Sequence, residues 1–148
     1  MKNKKLFIAT PIAGFENEEE YKVYRDVIAN IVEAIRESGK VENIYSIITE
    51  IKSKSEYDSP AESAYNDLMA LENASHFIFF YPQKVLTSAF VELGYAVAKR
   101  KEILIIANNR KELPYIVQGF DKISKYNTII IEPNKQMDLI NEVLEFLD

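Results

Sequence analysis

Residues 76–81 read HFIFFY, are apolar without a break after the histidine, and are ended by Pro82. A strand with one wet face alternates polar and apolar side chains, so an unbroken run predicts a strand covered on both faces. Runs of the same kind stand at 5–10, before Pro11, at 102–107 (EILIIA) and at 128–131 (TIII), and 44–51 predicts a further strand. Between them the period changes. Residues 18–38 place Tyr21, Tyr24, Val27, Ile28, Ile31, Val32 and Ile35 at helical spacing, and Gly39 stops them. Ser59-Pro60-Ala61-Glu62 offers an N-cap, a proline at the first helical position and an acid at the third, opening a helix to about Asn73. A helix is predicted over 88–100 and a short or irregular one over 111–123. Asn134 is expected to cap a last helix with Met137, Ile140, Val143, Leu144 and Leu147 on one face.

Strands alternating with helices predict an α/β fold: one flavodoxin-like or Rossmann-like domain over 1–148, with a five-stranded parallel sheet and helices on both faces. Right-handed crossovers leave few topologies, and 2-1-3-4-5 is the expected order. In such sheets a ligand sits beyond the carboxyl ends of the strands, where the order reverses. Here that lies between strands one and three, beside TPIAGFEN (10–17) and YPQKVLTS (81–88).

Composition excludes several classes of partner. A net charge of −5 and no basic stripe argue against nucleic acid. There is no cysteine, hence no disulfide or thiol chemistry, and the single histidine has no partner at zinc spacing, so no metal is expected. The apolar part of the first strand, about five residues, is too short for a signal or a membrane span, which needs about twenty. A cytoplasmic protein with no membrane partner is expected. Dinucleotide, Walker A, nucleophile-elbow and deaminase fingerprints are all missing.

Glu92 stands in the first turns of the helix predicted over 88–100, in TSAFVELGYA. A helix start carries unpaired N–H groups and about half a positive charge, a field expected to keep Glu92 ionised. Acids near helix starts are also common as plain dipole partners. Thr87 and Ser88 add hydroxyls there. Asp67, in YNDLMALENA, is the second carboxylate, with Ala64, Leu68 and Leu71 as expected core contacts. Glycosidic chemistry uses two such groups. His76 is expected to be a packed or edge residue. Tyr57 and Asp58, in the loop after the second strand, are candidate ligand contacts at the same rim.

The stretch from NDLMALENASHFIFFYP through TSAFVELGYAVAKRKEILII resembles the nucleoside 2-deoxyribosyltransferases and the related deoxynucleoside 5′-monophosphate N-glycosidases, over roughly residues 5–110. The matching positions are Asp67 before the apolar strand and Glu92-Leu93-Gly94-Tyr95-Ala96 after it; Ser75 stands where that family usually has Asp. The resemblance implies cleavage or transfer at the N-glycosidic bond of a nucleoside or nucleotide, without a cofactor. It makes Glu92 the nucleophile that forms a covalent glycosyl-enzyme, with Asp67 orienting it or moving a proton. Thr87 and Ser88 would hold the sugar 5′ end or its phosphate. Thr10, Pro11, Ile12 and Phe15 of the first loop, with Tyr81, would wall the base pocket. A homo-oligomer is expected, because enzymes of this kind often complete the site with a neighbour's loop. The alternatives are a non-catalytic nucleotide-binding or signalling module, or an NAD-cleaving enzyme similar to Toll/interleukin-1 receptor (TIR) domains.

Overall fold

The structure is a computed structural model and describes residues 3–12, 17–50 and 59–148, with backbone alone at 49 and 50. Five parallel strands form one sheet in the order β2-β1-β3-β4-β5: β1 (Lys5–Ala9), β2 (Asn43–Ser46), β3 (His76–Tyr81), β4 (Glu102–Ala107) and β5 (Thr128–Ile131). This is the expected fold class and strand order. All six residues of β3 are buried, as its unbroken apolar run requires.

Successive side chains alternate across the sheet. Leu6, Ile8, Ile78, Phe80, Leu104 and Ile106 lie under α1 (Glu18–Ser38) and α5 (Leu139–Phe146). Phe7, Ala9, Phe77, Phe79, Tyr81, Ile103 and Ile105 lie under α3 (Pro60–Asn73) and α4 (Ala89–Ala98). Burying one such large side chain contributes about 1.5–3 kcal/mol, against about 1 kcal/mol for an N-cap. The apolar pattern therefore places the elements and the caps trim their ends. Asn17 accepts from the Glu20 N–H at 2.8 Å, and Gly39 closes α1 in the left-handed region at φ +66. Ser59 accepts from the Glu62 N–H at 3.3 Å at the start of α3.

The structure refines or corrects several expectations. The predicted strand over 44–51 stops at Ser46 and turns into a four-residue helix, α2 (Ile47–Glu50); residue 51 lies outside the described residues. β2 is an edge strand, and Ile48 buries fully in the α1-side core from helical geometry instead. The irregular helix over 111–123 is two 3-10 turns, Arg110–Glu112 and Val117–Lys122, tied by a two-pronged Arg110–Asp121 pair at 2.9 Å. Asn134 closes a local turn to Gln136, while Asp138 caps α5 by accepting from Asn141. Val143 and Leu147 are buried as expected and Leu144 packs beside them, with Leu139 and Phe146; Met137 precedes α5, and Ile140 is exposed, as is Val27 on α1. Among the described residues no helix is long and apolar enough to cross a membrane.

Candidate active site

β1 and β3 are neighbours, with β2 beyond one and β4 beyond the other, so the winding reverses between them. α4 leaves the carboxyl end of β3, and Glu92 is its fourth residue. The packed stripe of α4 is Ala89, Leu93, Ala96 and Val97. Glu92 shares that stripe, three residues after one alanine and four before the other, so it points inward between small side chains and is half-buried.

The neighbouring helix presents Asp67. Its packed stripe runs through Asp67, Ala70, Leu71 and Ala74, spaced by three, four and seven residues. Two expected core contacts are corrected here: Ala64 and Leu68 are exposed, and only Leu71 is buried. The face is set by Leu71 and Ala74 against the sheet, and stepping back four and seven residues from them reaches position 67. Asp67 therefore sits on the covered side, not on the surface.

The Glu92 carboxyl faces Asp67, near enough for a hydrogen bond between the two groups to act on it. Such a bond needs one proton between them. Burial pushes the Glu92 carboxyl up to about 8 from its ordinary 4.5, and the negative charge of Asp67 and the hydrogen bond to it push in the same direction. This overturns the expectation of an ionised Glu92. The helix-start field is worth about 0.3–1 kcal/mol, against on the order of 5 kcal/mol for a rise of that size at about 1.4 kcal/mol per unit. Burial and the neighbouring charge therefore favour one proton held by the pair.

Sequence reasoning missed a third member. The Tyr45 hydroxyl donates to Asp67 Oδ1 at 2.7 Å. Tyr45 is on β2, paired in register with Phe7, and its ring stacks on Phe7 at 5.0 Å and 24°. Phe7 stacks in turn on Phe77 at 5.7 Å. The available signal was parity: Ile44 and Tyr45 point to opposite faces of a strand, and Tyr45 takes the face that α3 covers.

The other candidates fall into three groups. Tyr81 is 3% exposed; its hydroxyl donates to the Val85 carbonyl and accepts from the Val85 N–H, both at 3.0 Å. Its ring stacks on Phe79 and meets Phe90 edge-on, so it braces the 82–88 loop from beneath. In that loop the Thr87 hydroxyl accepts from the Ala89 N–H at 3.2 Å, while Ser88 makes no capping bond. Thr10 and Ile12 turn to the α1 face: the Thr10 hydroxyl donates to Tyr24 at 3.0 Å, and Ile12 packs on the α1-side core. Pro11 between them is buried. Burial pushes the Tyr24 phenol up, against the lowering effect of the Thr10 hydrogen bond. Phe15, Tyr57 and Asp58 lie outside the described residues.

Ser75 and His76 are at the opposite end of β3. Ser75 Oγ accepts from the Lys5 N–H at 3.1 Å and lies 2.8 Å from His76 Nδ1, and the His76 ring meets Phe146 edge-on. Ser75 thus ties strand ends together, a strand's length from Glu92.

No protein-family model and no curated protein matches the sequence. Among solved structures, the CMP N-glycosidase BcmB of Clostridium botulinum superposes with a TM-score of 0.68 over 97% of this chain and 99% of that one, at 20% identity. A conserved protein from Enterococcus faecalis V583 superposes at 0.59 over 98% and 97%, at 15% identity. At these identities the likeness is one of fold, and it runs almost from end to end in both.

Proposed function

We propose that this chain, acting as one domain over 1–148, breaks the N-glycosidic bond of a nucleoside or nucleotide, or transfers its glycosyl group, with Glu92 as nucleophile and Asp67 as proton carrier. One observation carries the reading: two inward carboxyls face each other from adjacent helices, and the one that bears Glu92 leaves the switch point. The fold likeness to a protein that is a CMP N-glycosidase supports it.

The pair supplies what two-step glycosyl chemistry needs. The proton first passes from Glu92 to Asp67, which leaves Glu92 a carboxylate. One of its oxygens bonds C1′ as the C1′–N bond breaks, and the bonding electrons leave with the base, which takes the Asp67 proton. Water then attacks C1′ and gives its proton to Asp67, and Glu92 departs as a carboxylate. The pair again holds one proton. An acceptor base in place of water makes the second step a transfer. The first turn of α4, with the Ser88 hydroxyl, would hold the sugar 5′ end or its phosphate. The 10–12 backbone would border the base, since the Thr10 and Ile12 side chains are engaged elsewhere.

The test is Glu92→Gln, which keeps the shape and removes the nucleophile. On a panel of nucleosides, nucleotides and NAD, base release should fall on the order of 10³-fold or more. The wild type should show a glycosyl adduct by mass spectrometry. Base release that survives Glu92→Gln refutes the assignment. The proposal includes a homo-oligomer, in keeping with the exposed Tyr65, Leu68 and Met69 on α3. An active monomer by light scattering removes that part.

A further inference from the structure

We propose that Tyr45 is a positioning residue whose hydroxyl, held on Asp67, decides which carboxyl of the pair carries their shared proton. This deepens the glycosidic reading and rests on it for its meaning in catalysis, though not for its test.

The geometry is specific. Tyr45 hydrogen-bonds Asp67 from the edge strand, and Glu92 faces it from α4, so Asp67 lies between the two. Stacking on Phe7 fixes the Tyr45 ring, which leaves the hydroxyl little choice of direction. A phenol that donates to a carboxylate stabilises the ionised form. Tyr45 therefore favours Asp67 as the charged member and Glu92 as the protonated one in the resting protein. The same bond holds the Asp67 oxygens in one plane, so the proton has a defined partner to return to.

The surroundings leave this role to Tyr45. From β1 and β3 the side chains on this face are Phe7, Ala9, Phe77, Phe79 and Tyr81; the Tyr81 hydroxyl is the titratable group among them, and it is bonded to Val85. From α3 and α4 the ionisable groups that meet are Asp67 and Glu92 themselves. Among the described residues no lysine or arginine forms an ion pair with either carboxyl. β2 ends one residue after Tyr45 and turns into α2, so the tyrosine occupies the last pair of strand positions from which the sheet addresses α3.

The experiment is a carboxyl ¹³C NMR titration of the full chain, with Glu92→Gln and Asp67→Asn assigning the two signals. In the wild type the pair should change in two separate steps, with Glu92 in the upper one. Tyr45→Phe keeps the stacked ring and removes the donor. It should raise the lower step by about one pH unit and move part of the Glu92 change into that step. Placing 3-fluorotyrosine at position 45, a stronger donor, should lower the same step. If substrate is turned over, the acid limb of the kcat/KM profile should move with the lower step.

Steps unmoved in Tyr45→Phe, with aromatic circular dichroism intact, overturn the proposal. Should that variant not fold, an unmoved lower step with 3-fluorotyrosine overturns it equally. The titration needs no substrate. A shifted step in a protein that cleaves no nucleotide sinks the glycosidic reading and upholds Tyr45. Base release abolished by Glu92→Gln beside an unmoved step does the reverse.

Discussion

Glu92→Gln should change how folding stability depends on pH, independently of any activity. In the folded chain the Glu92 carboxyl titrates at about 8, against 4.5 when exposed. Between those values the folded state holds a proton that the unfolded state has released, so wild-type stability falls as pH rises through that window. The contribution is fully present below 4.5 and lost above about 8. A rise of this size corresponds to about 5 kcal/mol at about 1.4 kcal/mol per unit. Glu92 keeps partial contact with water, which brings the expected effect down to about 2–3 kcal/mol. Glutamine is neutral throughout and donates to Asp67 through its amide. The variant should therefore match wild type near pH 4 and exceed it by about 2–3 kcal/mol at pH 9. Urea unfolding at four pH values, read at unchanged m-value, measures this directly. Parallel stability curves for the two proteins would refute the protonated, inward Glu92 on which the site rests.

Two further outcomes follow from the same geometry. Asp67→Asn removes the second and third causes of the Glu92 shift and leaves burial, the first. Glu92 should then titrate lower by about one to two units yet stay above the ordinary carboxylate range, as the same NMR titration reads. A return to 4.5 would show that burial is not the leading cause. At Gly94, in the middle of α4, an added Cβ meets no atom within 4 Å. Gly94→Ala should gain about 0.5–1 kcal/mol by thermal unfolding, from helix propensity and reduced unfolded-state entropy. A loss of stability would mean the helix is packed differently there.

Much of the architecture was legible because its signals are local. Six buried residues in a row at 76–81 demand cover on both faces whatever surrounds them. The Gly39 and Ser59 caps depend on backbone groups within four residues. The two carboxylates were also legible as types at positions. Their meeting was not, since it requires α3 and α4 to pack with particular stripes facing inward, and the stripe of α3 runs through Asp67 rather than Ala64 and Leu68.

The protonation of Glu92 shows the limit most clearly. Along the chain its surroundings are a helix start, a field of about 0.3–1 kcal/mol that favours charge. In space they are a covered face and a like charge 25 residues earlier in sequence, which together outweigh that field. Tyr45 is subtler still: within its strand it looks like any β-former, and only pairing with Phe7 aims its hydroxyl at Asp67. Sequence alone determined the alternation of covered strands and capped helices, because apolar period and caps act over a few residues. The tertiary structure decided the length of β2, the inward face of α3 and the shared proton, because burial and electrostatics are set by neighbours that only folding supplies.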